Sequence, residues 1–219
     1  MSNHALAERH RLAELLAAAG PDAPTLCAGW TTRDLAAHLV IRERRADAAP
    51  GIRVGALAGW THRVQSAYAE RPYDELVRLF RSGPPVFSVF ALPGADEAAN
   101  TVEYFVHAED VLRAADDWTP RPVPPGREEA LWRRLPLLAR FEAGRRSPVR
   151  LELHHPDGRT ITAGPTATPT VRITGTPADL ILFTYGRGAH TTLDVDGPTD
   201  AIEALRHALP LPRQGEAGR

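Results

Sequence analysis

The sequence predicts a two-part chain, an N-terminal all-α four-helix bundle followed by a small C-terminal α+β domain. Three observations carry this reading. Apolar residues recur at helical spacing through the first half of the chain. A Pro-rich stretch, DWTPRPVPPGR at 117–127, then reads as a stiff extended connector. Beyond it the hydrophobic period switches from helical to alternating. The expected division is a helical bundle over 1–116, the linker 117–127, an α+β domain over 128–213, and a frayed tail at 214–219.

In chain order, Asn3 to Ala19 reads as an amphipathic helix with Leu6, Leu12, Leu15 and Leu16 on one side, stopped by Gly20-Pro21. The loop PDAPTLCAGW leads to a second helix. Thr31 is its N-cap and Asp34, three residues on, completes a capping box. Leu35, Leu39 and Ile41 form its buried side, His38 lies beside them, and Arg42, Glu43, Arg44 and Arg45 are expected to run out toward solvent before Pro50-Gly51. A third helix is expected over Thr61 to Arg81, kinked or split by Pro72. The segment from Ser82 reads as a crossover loop into a fourth helix, NTVEYFVHAEDVLR at 100–113. After the linker a helix is expected at Glu128–Glu142, kinked at Pro136. VRLELHH, the turn PDGR and TITA form a hairpin, and TVRITG is a further strand. PADLILFTYG is a helix, TTLDVDG a strand, and PTDAIEALRHAL a closing helix with Thr199 or Asp200 near its cap.

Composition excludes several classes of function. The chain has 219 residues, enough to bury a real core, with 26 basic and 27 acidic side chains. A near-zero net charge gives no electrostatic footprint for nucleic acid or an anionic membrane. All the basic residues are arginine, which together with abundant Ala, Gly and Pro fits a GC-rich coding sequence. The single cysteine, Cys27, rules out an internal disulfide framework and fits a reducing cytoplasm. No apolar run resembles a signal peptide, because Glu8, Arg9, His10 and Arg11 interrupt the N-terminal segment, and no window is long and apolar enough to span a bilayer. A cytoplasmic location is expected.

The chemistry is expected on the fourth helix. Glu103 and His107 lie four apart, so their side chains project from one face, about 6 Å apart along the axis. A carboxylate and an imidazole so placed can grip a divalent metal ion if a third ligand arrives from elsewhere, and His38 is the candidate. Taken alone, the same residues also fit a solvated polar stripe with Asp110, and His38 fits a core-edge histidine. Asn100 and Asp110, about a turn either side of the pair, read as imidazole-orienting partners or as surface caps. Trp30 reads as a packing anchor, Arg42 and Arg45 as solvated helix charge, and Cys27 as inert filler. Arg187, in the turn-like Tyr185-Gly186-Arg187-Gly188, is a candidate contact for a substrate carboxylate. His154 and His155 point to opposite sides of a strand and read as surface, and the remaining histidines show no ligand spacing.

The run LCAGWTTRDLAAHL, the later E-x-x-x-H, and a Pro-rich link into a small α+β domain together resemble the mycothiol-dependent maleylpyruvate isomerase superfamily. PTLCAGWTTRDLAAHLVIRERR and EYFVHAEDVLRA are similar, more closely, to an actinobacterial metal-binding subgroup with no assigned reaction. The resemblance covers most of the chain, strongly over 1–115 and more loosely beyond. It implies a DinB-like four-helix bundle with one His from the second helix and a Glu and a His four apart from the fourth. These map onto His38, Glu103 and His107. Two imidazoles and a carboxylate suit zinc with an open position, although nickel or ferrous iron match the ligand types as well. The resemblance further implies mycothiol as thiol co-substrate and a small electrophile as its partner, in isomerisation or transfer. The alternative is a non-catalytic module with a structural metal or a regulatory role. The chain departs from the best-known isomerase in much of its loop sequence, so the resemblance names no substrate.

Overall fold

The computed structural model describes residues 4–52, 54–85, 88 and 95–212, with backbone alone at 95, 96, 98 and 99. The chain divides into two compact units, Met1–Thr119 and Pro120–Arg219. The first contains helices α1 (His4–Ala19), α2 (Thr32–Arg44), α3 (Ala58–Ala69), α4 (Tyr73–Arg81) and α5 (Ala95–Leu112). Its core joins Leu12 and Leu16 of α1, Leu35 and Leu39 of α2, Leu76 and Phe80 of α4, and Tyr104 and Ala108 of α5. These four helices make the bundle. α3 packs on the side of α2, where Val64 meets Ile41 and Ala48.

Each helix follows from local chemistry. α2 begins at the capping box expected for it: the Thr31 amide donates to Asp34 Oδ2 at 2.9 Å. The expected third helix is two helices, because Pro72 lacks the amide needed to continue α3 and serves instead as the N-cap of α4. The crossover after Ser82 is already helical from Ala95. Residues 86–87 and 89–94 of that crossover, Asn3 of the first helix and the tail 214–219 lie outside the described residues. Among those described, no helix is long and apolar enough to cross a membrane.

The end of α2 departs from expectation. Glu43 does not run to solvent; it is buried, and its carboxylate receives Arg9 Nη1 of α1 at 2.8 Å. Arg9 Nη2 donates to Tyr104 Oη of α5 at 2.7 Å, and Tyr104 in turn hydrogen-bonds Glu43. Arg44 reaches the carbonyls of Leu79 and Gly83, tying α2 to the end of α4. Two charged side chains can be held this deep because they hydrogen-bond each other, the Tyr104 hydroxyl and the Phe80 carbonyl.

Between α2 and α3 the chain makes a short helical turn at Ala49–Ile52. A β-carbon on Gly51 would collide with the Thr61 hydroxyl and the Leu57 carbonyl, so α3 approaches the turn closely because this position has no side chain. Gly51→Ala is expected to destabilise the protein by about 1–3 kcal/mol through overpacking, read as a lower urea midpoint with an unchanged slope.

The second unit holds α6 (Pro125–Leu138), running into a π-helical turn at Ala139–Ala143, then β1 (Arg150–His154), β2 (Thr160–Ala163), β3 (Thr170–Thr174), α7 (Pro177–Thr184), β4 (Asp194–Asp196) and α8 (Thr199–Ala208). The sheet order is β2-β1-β3-β4. β1 and β2 form the expected antiparallel hairpin, β1 and β3 run parallel, and β3 and β4 antiparallel. Leu151, Leu153, Val171 and Ile173 alternate inward from the central strands. α7 is buried along its whole length, capped by Thr176, whose hydroxyl accepts the Asp179 amide at 3.2 Å. His155 is not a plain surface residue, since its ring stands edge-on to Trp132 of α6 at 5.1 Å.

Candidate functional site

The site is built where α2 and α5 face one another in the first unit. Along α5 the apolar residues Val102, Phe105, Val106 and Ala108 are all buried, and so are Asn100, His107, Glu109 and Asp110. The solvated-stripe reading therefore fails: Glu103 and His107 keep only 12% and 11% of their side-chain surface exposed. Their polar face meets that of α2, where His38 lies on the same side as Leu35 and Leu39.

His38, Glu103 and His107 come together. Glu103 Oε1 stands 3.7 Å from His38 Nε2 and 3.4 Å from His107 Nε2, and all three donor atoms lie within 4.8 Å of one another. The two imidazoles meet edge to face with centroids 5.4 Å apart. Tetrahedral ligands at about 2.1 Å from zinc would be about 3.4 Å from each other, so the donor set fits such an ion.

The neighbours orient this set. Asp110 Oδ2 takes the Nδ1 proton of His107 at 2.9 Å, leaving Nε2 turned toward Glu103, the arrangement found behind metal-ligating histidines. Cys27 donates its thiol to the same Asp110 oxygen at 3.1 Å, and its sulfur lies 3.9 Å from His107 Nδ1. Cys27, His107 and Asp110 thus form a second close group of ligand-type atoms, read here as support for His107. On the other side Arg42 Nε contacts Glu103 Oε1 at 3.3 Å while its Nη1 hydrogen-bonds Asn100 Oδ1. Asn100 and Asp110 are therefore both buried partners of the cluster, one through Arg42 and one directly. Arg42 is not solvated helix charge, whereas Arg45 is, paired with Asp47 at the surface.

The electrostatics follow from these contacts. Burial opposes ionisation of Glu103, but hydrogen bonds from His107 and His38 outweigh it and hold the carboxyl well below the usual carboxylate range. Burial likewise opposes charge on His107, yet Asp110, Cys27 and Glu103 together raise its imidazole well above the ordinary value. His38 goes the other way, lowered by burial that its hydrogen bond to Glu103 only partly offsets.

The loop before α2 delivers two of these residues. The Leu26 amide donates to the Asp110 carbonyl at 3.0 Å, and the Trp30 amide to Cys27 at 2.9 Å, so the loop is laced to α5. This sets Cys27 against Asp110 and Trp30 over His38, with ring centroids 5.0 Å apart. Trp30 also packs on the bundle core, as a packing anchor should. Cys27 and Arg42 are the members of the cluster that sequence reasoning misses. Cys27 sits inside the LCAGW run, and that placement is the one signal that could have found it. Beside His38 a cleft of about 480 Å³ opens between the loop, α2 and α3. Arg187 lies in the second unit, where its Nη1 donates to the Tyr185 carbonyl at 2.7 Å.

Known proteins share this fold, and a family model matches most of the chain. The sequence matches the mycothiol maleylpyruvate isomerase N-terminal domain family over residues 3–157. The fold is similar to a crystal structure of a histidine-to-alanine mutant of the mycothiol-dependent maleylpyruvate isomerase, at TM-score 0.62 and 14% identity. A second crystal structure of that isomerase matches at TM-score 0.58 and 16% identity. Each match covers 88% of this chain and 90% of the other. No curated protein sequence matches.

Proposed function

The chain belongs to the mycothiol maleylpyruvate isomerase N-terminal domain family, and from that membership we propose that it is a metal-dependent enzyme using a low-molecular-weight thiol of the mycothiol class. His38, Glu103 and His107 would hold the metal, and two imidazoles with one carboxylate favour zinc. Zinc there would supply a Lewis acid that lowers the pKa of an incoming thiol or water. The reaction would be isomerisation or transfer on a small electrophile. In isomerisation the thiol adds to a conjugated double bond, the resulting single bond rotates, and the thiol is expelled; in transfer it stays attached. Arg187 is the proposed contact for an anionic group on that electrophile.

One observation carries the reading: three donor atoms on two helices converge, and one of the three residues, His38, also lines a cleft. The protein's own residues have definite tasks in it. Asp110 fixes the ring of His107, Arg42 and Asn100 fix the carboxylate of Glu103, and Trp30 covers His38. A three-residue donor set leaves a coordination position for substrate, which separates this reading from a structural metal in a closed shell. Titration of β-mercaptoethanol into the cobalt-substituted protein tests it. A sulfur-to-cobalt charge-transfer band that saturates with thiol is expected. An unchanged spectrum would reduce the protein to a metal-binding module.

A further inference from the structure

His107 has two ring nitrogens, and the first donor set uses one of them. Nε2 faces Glu103, while Nδ1 faces Asp110 and the sulfur of Cys27. Around Nδ1 the separations are 2.9 Å to Asp110 Oδ2 and 3.9 Å to Cys27 Sγ, with 3.1 Å between that sulfur and that oxygen. Sulfur at about 2.3 Å and nitrogen or oxygen at about 2.1 Å from one tetrahedral ion stand about 3.4–3.6 Å apart. The three observed separations bracket that span. The two shorter ones are hydrogen bonds, each carried by a proton that an ion would replace.

The three groups are held in place before any ion arrives. Asp110 is fully buried on α5, and the Leu26 amide ties the loop to its carbonyl. The Thr25 hydroxyl accepts the Cys27 amide at 3.2 Å and donates to the Trp30 carbonyl at 2.9 Å, so the backbone that carries the thiol is braced on both sides. Cys27 itself is half-buried, which leaves an approach from solvent. The set also differs in kind from the first. Thiolate favours soft ions, whereas His38, Glu103 and His107 offer only nitrogen and oxygen.

We propose that Cys27, Asp110 and His107 Nδ1 form a second metal site, selective for a thiophilic ion such as cadmium or cuprous copper, and that an ion there excludes one from the first donor set. Binding releases the thiol proton and the Nδ1 proton to solvent as sulfur and nitrogen bond the ion. A neutral imidazole has one lone pair to give, so a ring that ligates through Nδ1 keeps its remaining proton on Nε2 and is lost to the first set. Zinc is expected at the first set, which requires no thiol to be deprotonated. The second site stands independently of the thiol reading; the exclusion rests on the metal reading of the first set.

Cadmium chloride titrated into the metal-free protein, without added thiol, tests the site. A sulfur-to-cadmium charge-transfer band that saturates at one equivalent is expected, and with no other cysteine in the chain it reports Cys27 alone. The band should persist in His38→Ala, which keeps all three donors, and vanish in Cys27→Ser. Asp110→Asn and His107→Ala should each weaken cadmium binding by more than about tenfold. No band in the wild type, loss of the band in His38→Ala, or full affinity in both Asp110→Asn and His107→Ala would overturn the site. In cobalt-loaded protein, cadmium should release cobalt in step with growth of the sulfur band. Cobalt retained while the band saturates would overturn the exclusion, and failure of cobalt to bind at all would instead overturn the metal reading of the first set.

Discussion

His38→Ala and His107→Ala are each expected to strip the protein of bound metal. Removing an outer carboxylate that orients a ligating histidine lowers metal affinity about 10–100-fold, and loss of a ligand itself should exceed that. The two remaining donors in either variant cannot close a site, because among the described residues the other close group of ligand-type atoms, Cys27 and Asp110, lies on the Nδ1 side of His107. Asp110→Asn should therefore be intermediate: all three donors stay, but the amide can present its own N–H₂ to Nδ1 and reverse the tautomer. Metal content of the purified variants by mass spectrometry reads the effect directly. Thermal unfolding gives an independent measure, since zinc at about 100 times its dissociation constant stabilises the folded state by about 2.7 kcal/mol. The wild type should show that rise and the two histidine variants should not. Full metal content in both histidine variants would mean that the ion sits elsewhere.

Much of this site is legible in the amino-acid sequence, and the part that is not has a physical reason. Spacing alone puts Glu103 and His107 on one helical face, and the family resemblance supplies His38 as the third member. Periodicity does not say whether that polar face meets water. A polar stripe turned toward another polar stripe looks the same in one dimension as a polar stripe turned toward solvent. For the same reason Arg42 and Glu43 read as surface charge: each has its partner on a different helix, at Glu103, and at Arg9 and Tyr104, and no local rule pairs positions so far apart in sequence. Cys27 joins the cluster through a backbone hydrogen bond between Leu26 and Asp110, a contact without any composition signature. The break at Pro72 is legible as one of two outcomes, and the N-cap role decides for the split.

The largest stability effect is expected at the buried ion pair rather than at the site. Arg9 and Glu43 keep 2% and 1% of their side-chain surface, and Arg9 also donates to the Phe80 carbonyl at 3.0 Å. Removing one partner breaks a buried, hydrogen-bonded ion pair, which costs about 3–5 kcal/mol. Arg9→Met and Glu43→Met should each lower the denaturant midpoint accordingly. The double variant should be less damaging than their sum, because both charges leave together, with a residual cost of about 1–3 kcal/mol for the hydrogen bonds that Tyr104 loses to Arg9 and Glu43. Tyr104→Phe added to the double variant should recover part of that residue. Additive single effects would show that the two charges are not coupled in this way. The network also bears on the site. Glu43 follows Arg42 on α2 and Tyr104 follows Glu103 on α5, so the Tyr104–Glu43 hydrogen bond, held in place by Arg9, ties together the two helices that carry His38, Glu103 and His107. A variant that keeps its fold but loosens this pair should hold metal less tightly without losing a ligand, and that separates this tie from coordination.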